Sequence, residues 1–238
     1  MHIRSIKLLH HLYPTRDFYP FNLSLLQETD VISVESPITF FMGENGTGKS
    51  TLLRAIADKT QIHVWEEQQI RRLERNPYEH QLNRAIEVEW TSERVPGSYF
   101  GSQFFNHFTH LLEEWATADP GQINYFGGHS LMTLSHGQSL LAFFQARYAV
   151  RGLYLLDEPE TALSPSSQLA LLKLLRLAIQ AGKAQFIIVT HSPILLALPG
   201  ARILNFNASP IDIVVYQDTE YYQFYKSFLN NPESFFDS

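Results

Sequence analysis

Gly43-Glu44-Asn45-Gly46-Thr47-Gly48-Lys49-Ser50 lies between an apolar run, Ile38-Thr39-Phe40-Phe41-Met42, and a good helix former, Thr51-Leu52-Leu53-Arg54-Ala55-Ile56-Ala57. The glycines let the backbone turn tightly, so that successive N–H groups point at one anion. Lys49 adds positive charge for β- and γ-phosphates, and Ser50 supplies a hydroxyl for Mg²⁺. The helix that follows presents its positive end. Strand, glycine loop and helix in this order predict a phosphate-binding loop running from Gly43 through Thr51.

Two later segments fit the same chemistry. Gly152-Leu153-Tyr154-Leu155-Leu156-Asp157-Glu158-Pro159 reads as a strand buried on both faces that ends in two acids. Ligands bind at the carboxyl ends of such strands. Asp157 is expected to hold Mg²⁺, and Glu158 to act on the attacking water as a general base. About twenty residues earlier, Leu134-Ser135-His136-Gly137-Gln138 opens an apolar helix. Ser135 and the exposed N–H groups there make a second anion site; read alone, the segment is better taken as an ordinary N-cap.

Phosphate loop, Leu-Ser-x-Gly-Gln and Asp-Glu-Pro, in that order, resemble the ABC-type ATPases. Thr161-Ala162-Leu163-Ser164 matches the D-loop position, and Phe186-Ile187-Ile188-Val189-Thr190-His191-Ser192 the strand leading to the switch histidine. The tail, Asp218-Thr219-Glu220-Tyr221 and Phe228-Leu229-Asn230-Asn231-Pro232-Glu233, is similar to that of small stand-alone bacterial ATPases of the AAA, RecF or SMC-like kind. The resemblance implies two ATP molecules held between two head-to-tail subunits. Gly43, Glu44, Asn45, Gly46, Thr47, Gly48, Lys49, Ser50 and Thr51 would cradle each nucleotide. Ser135, Gly137 and Gln138 would cap it from the other subunit, with His191 at the γ-phosphate or the water. His136 departs from the best-known signature, which has glycine there; Gly137, expected nearest the phosphate, is retained. A magnesium-binding glutamine is also implied, and Gln103 is the first candidate, beside Ser102 and Gln122. Tyr13, Phe18, Tyr19 and Phe21 compete for the adenine-stacking place, with plain core packing an equal alternative for each.

The implied fold is an α/β P-loop NTPase of the ABC type. Its mainly parallel central sheet would be flanked by helices, with an N-terminal antiparallel β part and a short helical insert. One domain is expected over 1–238, with the variable insert at about 60–134. Residues 1–42 are read as β-rich. Helices are expected over 50–58, 66–85, 104–117, 139–150, 165–181 and 218–230. Strands are expected over 85–90 and 185–190, and a hairpin over 204–215.

Composition agrees with a soluble enzyme in the cytoplasm. Hydrophobic residues make up 45% and there are no cysteines, which excludes disulfides and thiolate catalysis. No apolar run approaches the roughly eighteen residues of a membrane span, and the start lacks a signal-peptide core. The net charge of −6 argues against a globally basic nucleic-acid binder. Arg71, Arg72, Arg75 and Arg84, interspersed with acids, read mainly as a solvated helical face, with nucleic-acid contact as the alternative; His107 and His110 have no convincing third zinc ligand. The 85 residues between Lys49 and Ser135 are too few for a long coiled coil. The segment after Gln138 lacks the basic, glutamine-rich continuation of transporter ATPase subunits. Glu160 in Asp-Glu-Pro-Glu and the Ser164-Pro165 pair look more like the soluble, RecF- or SMC-like branch. The expected activity is Mg²⁺-dependent ATP hydrolysis by an ATP-dependent homodimer. It would serve DNA-related or phage-defence work, or act as a nucleotide switch for an effector protein. The alternative is the ATPase subunit of an ABC transporter. The aromatic tail, Tyr221 to Phe236, is expected to pack as an amphipathic terminal helix, with a partner-binding surface as the alternative.

Overall fold

The structure, a computed structural model, describes residues 1–65, 76–101, 103–104 and 136–236. Two sheets form the frame. The smaller is antiparallel, in the order β2 (Val31–Ser33), β1 (Ile3–Leu8), β5 (Ile86–Trp90). The larger has seven strands. From one edge they run β10 (Asp212–Val214), β9 (Arg202–Asn205), β3 (Ile38–Met42), β8 (Ala184–Val189), β7 (Gly152–Asp157), β6 (Gly97–Phe100) and β4 (His63–Trp65). Its neighbouring strands pair in parallel except β10, which folds back antiparallel on β9. The helices are α1 (Ser24–Glu28), α2 (Lys49–Thr60), α3 (His136–Tyr148), α4 (Pro165–Gln180), α5 (Pro193–Leu196) and α6 (Glu220–Asn230).

The central strands are buried along their whole length, and their two-residue period separates two cores. Phe41, Leu153, Leu155, Ile187 and Val189 face α2 and the antiparallel sheet. Phe40, Tyr154, Leu156, Phe186 and Ile188 face α3, α4 and α5. The two sheets are also joined by a buried amide. Gln185 on β8 accepts from the backbone N–H groups of His2 (2.6 Å) and Ile3 (2.8 Å), and donates to the carbonyls of Ile3 (2.9 Å) and Val34 (3.0 Å). A polar group fully satisfied inside a core fixes the register of the elements it joins.

Several expectations are met and several corrected. Ser164 caps α4 by accepting from the Ser167 N–H at 3.3 Å, and Gly182 follows at φ +69°. The hairpin and terminal helix stand where expected. The phosphate-loop helix is longer than read, and α3 already includes His136, Gly137 and Gln138. Residues 1–42 are not uniformly β-rich: α1 interrupts them, burying Leu25 and Leu26. The helix read over 66–85 fails in its described part. Residues 76–85 form turns and a short 3₁₀ segment, Leu82–Ala85, because Pro77 lacks an N–H and restricts Asn76. Residues 66–75 with Arg71, Arg72 and Arg75 lie outside the described residues. So do Ser102, His107, His110, Gln122, Ser135 and most of 104–117.

The tail is the largest correction. No residue of α6 is buried. Phe224, Tyr225, Leu229 and Phe236 are exposed, and Phe224, Phe228 and Phe235 pack on one another rather than on the core. Helical spacing gathered these side chains on one face, but among the described residues no core element covers it.

Candidate functional site

The carboxyl ends of β3, β7 and β8 lie side by side: Phe41 is paired with Val189, and Val189 with Asp157. Each strand delivers one piece of the site. β3 runs into the glycine loop, which runs into α2. Gly46 and Gly48 have φ of +82° and +89°, and a Cβ on Gly48 would come within 2.6 Å of Leu23 on its other side. Only glycine fits there without strain. No side chain caps the start of α2. Its first N–H groups and its positive end are thus left for an anion, and the space at Gly46 is open.

Lys49 is buried, and its ammonium is turned onto its own loop. It donates to the carbonyls of Gly43 (2.7 Å) and Glu44 (2.5 Å) and to Thr47 Oγ1 (3.5 Å). Burial holds it below the usual lysine range, against the opposing pull of Glu158, Asp157 and other nearby acids. Ser50 Oγ donates to Asp157 Oδ1 at 2.8 Å, and the Tyr99 hydroxyl to Oδ2 at 3.2 Å. Burial pushes the Asp157 carboxyl up to about 6, despite the hydrogen bond from Ser50. A buried carboxylate joined to a hydroxyl beside an open phosphate cradle is a hard-oxygen donor set that fits Mg²⁺.

That burial makes a stability prediction for the protein free of metal and nucleotide. The folded state holds this proton more tightly than the unfolded chain, whose carboxyl titrates near 3.8. The stability it contributes is complete below that value and is lost as pH rises through about 6. Asp157→Asn abolishes the loss. Thermal unfolding should show it more stable than the wild type at about pH 8, by up to roughly 3 kcal/mol, with the gain shrinking between about pH 6 and pH 4. An equal gain at both ends of that range would rule out carboxylate burial as its cause.

Glu158 follows in a left-handed conformation, φ +51°, uncommon for a side chain of this kind. Its backbone N–H is held by the Val189 carbonyl at 3.0 Å, and its Oε1 lies 3.3 Å from His191 Nε2. The His191 ring holds the Glu158 carboxyl below its usual value, against burial. The two atoms approach closely without an aligned hydrogen bond. His191 Nδ1 is 2.6 Å from the Tyr221 hydroxyl, which donates to the Gly43 carbonyl at 2.8 Å. The backbone N–H of His191 donates to Glu160 Oε1 at 2.6 Å, and burial pushes the Glu160 carboxyl up.

The structure thus brings together Lys49, Ser50, Asp157, Glu158 and His191. Gln103 is exposed, just beyond Gly101 and β6, whose Phe100 pairs with Leu156 next to Asp157. Gly137 packs closely on α4, where a Cβ would lie 3.1 Å from Ser167 Oγ; Gln138 is exposed. Among the aromatic candidates, Phe21 is fully buried, and Tyr13 packs on it and donates to the Leu26 carbonyl at 2.9 Å. Both are core side chains. Tyr19 shares a hydrogen bond with Thr51, and Phe18 is exposed beside Tyr78. Sequence reasoning missed Tyr99, Glu160, Tyr221 and Asn207. Asn207 Oδ1 accepts from the Glu44 N–H at 2.7 Å, and its Nδ2 donates to Glu220 at 2.9 Å. Only Glu160 carried a local signal, its place in Asp-Glu-Pro-Glu.

A parallel sheet whose central strand opens into an uncapped glycine loop, beside a hydroxyl–carboxylate pair, defines a P-loop nucleotide-binding protein. A family model described as ABC transporter matches residues 26–161, more than half of the chain. The chain belongs to that family, and it is an ABC-type ATPase that binds and hydrolyses ATP. A second model, for an AAA domain with Type IV TA system in its description, matches residues 132–197. No curated protein matches the chain. Among solved structures, the SMC head domain from Thermotoga maritima is 14% identical, covering 90% of this chain and 99% of that one, with a TM-score of 0.49. An ATP-binding cassette of an ABC transporter in its ADP conformation is also 14% identical, covering 98% and 96%, with a TM-score of 0.49. Part of the ABC transporter complex cbiONQ, cbiO1 from Clostridium perfringens, is 15% identical over 87% and 90%, at 0.46. The family assignment rests on the family model. Among the described residues, no helix is long and apolar enough to cross a membrane.

Proposed function

We propose that this ATPase works with Mg²⁺ in a head-to-tail homodimer in the cytoplasm, by in-line attack of water on the γ-phosphate. The reading is carried by one observation: Lys49, the Ser50–Asp157 pair and the Glu158–His191 pair meet at adjoining strand ends. Residues 43–51 cradle the phosphates with backbone N–H groups, and Lys49 exchanges its loop carbonyls for phosphate oxygens. Ser50, Asp157 and Gln103 would hold Mg²⁺, which when bound would supply positive charge to offset that of the phosphates. Glu158 orients the water and takes its proton, and His191 faces the γ-phosphate beside it. Ser135, Gly137 and Gln138 act in trans, on the nucleotide held by the neighbouring copy.

For the output we favour a nucleotide switch, in which the ATP-bound pair recruits or restrains an effector protein. The short insert leaves little room for a nucleic-acid arm, and the tail offers exposed aromatic surface. The Type IV TA system in the description of the second family model supports a defence setting. The test is ATP turnover by the purified protein with and without double-stranded DNA. Turnover indifferent to DNA is the expected result; strong stimulation would favour DNA-directed work in repair or phage defence instead. The family's transporter description favours one other reading, an ATPase subunit of a transporter. Stable co-purification with membrane-spanning subunits would establish that reading and displace the switch.

A further inference from the structure

Tyr221 stands apart from the rest of the aromatic tail. Its ring is half-buried, and its hydroxyl joins two parts of the site that are far apart in sequence. A carbonyl oxygen can only accept, so the phenolic O–H is committed to Gly43. Burial raises this hydroxyl to about 12, so it keeps its proton throughout the neutral range. Its oxygen is then left to accept from His191 Nδ1, 2.6 Å away. The two contacts of this hydroxyl are both hydrogen bonds when Nδ1 carries hydrogen, and Nε2 is the nitrogen turned to Glu158.

The tyrosine is itself held from several sides. Thr219, buried, caps α6 by accepting from the Tyr222 N–H at 3.2 Å. Glu220 is tied to Asn207, which grips the phosphate loop at Glu44. Tyr216 donates to the Pro193 carbonyl at 3.0 Å, on the turn that follows His191. The first turn of α6 is thus fastened to both the phosphate loop and the histidine turn, while its outer turns are exposed.

We propose that Tyr221 is the positioning residue of His191, holding the ring with its proton on Nδ1 and Nε2 facing Glu158 and the phosphate site. This rests on the reading of His191 as a γ-phosphate-side residue and adds the group that orients it. The same hydroxyl keeps a partner on the Gly43 carbonyl when Lys49 leaves it for nucleotide.

Tyr221→Phe removes one oxygen and keeps the ring. Imidazole nitrogen NMR, with the His191 signals assigned by their loss in His191→Ala, reads directly which ring nitrogen carries hydrogen. The wild type should show hydrogen on Nδ1, and Tyr221→Phe a shift of population toward hydrogen on Nε2. Hydrogen on Nε2 in the wild type, or no change in the variant, would overturn the proposal. In turnover, Tyr221→Phe should lower kcat about tenfold with KM for ATP changed less than about twofold. In the His191→Ala background it should cost nothing further. A loss that adds in full to that of His191→Ala would show that Tyr221 acts independently of the histidine, and would also overturn it. If His191→Ala alone turns over ATP normally, the role of His191 in the chemistry fails; the tautomer comparison still decides whether Tyr221 sets the ring.

Discussion

Glu158→Gln should bind ATP as the wild type does, lose turnover by roughly 10²–10⁴-fold, and accumulate as an ATP-bound dimer visible by mass measurement. Gln keeps the shape of the side chain and removes its capacity to take a proton. The geometry makes this a clean substitution. Glu158 contributes no side-chain cap to the element that follows it, and its backbone is held by Val189. The His191 contact loses its charge, but the residue keeps its place at the strand end. The ATP-bound pair then persists because the step that releases it is slow. Turnover at the wild-type rate would remove Glu158 from the role of base. Slow turnover without an ATP-dependent dimer would remove the head-to-tail arrangement instead.

Lys49→Ala should weaken ATP binding by at least about 100-fold, the loss expected for charge-assisted hydrogen bonds worth about 3 kcal/mol. Titration calorimetry with ATP and Mg²⁺ reads it. Lys49 also closes its own loop through Gly43, Glu44 and Thr47, so the variant loses the internal partner that shapes the cradle. Thermal unfolding separates the two effects: a folded variant that does not bind fits the proposed role. Unchanged affinity would mean that the loop holds phosphate by its backbone alone, or not at all.

The parts of this site legible in the sequence were those that the chemistry compresses into neighbouring residues. Gly43 to Ser50 must be contiguous, because one turn of backbone surrounds one anion. Asp157 and Glu158 must end a buried strand, because the strand end is where the ligand lies. What stayed hidden depends on residues brought together only by folding. Tyr221 reaches Gly43 across 178 positions and His191 across 30, and nothing local distinguishes it from Tyr222 or Tyr225. Tyr99 reads as an ordinary strand aromatic until β6 is placed beside β7. The tail was misread for the converse reason: helical periodicity reports a face but not whether another element covers it. The segment 76–85 was misread because its charge pattern resembled a helix surface, and the proline within it decided otherwise.

The left-handed backbone at Glu158 carries a last consequence, for how this chain tolerates change. A non-glycine residue held there costs the fold of order 1–3 kcal/mol. Glycine would relieve that strain, and it would also delete the carboxylate on which the proposed chemistry depends. At this position thermodynamic robustness and catalysis draw the sequence in opposite directions. Selection for durability alone would favour glycine at this position; the carboxylate answers to turnover instead.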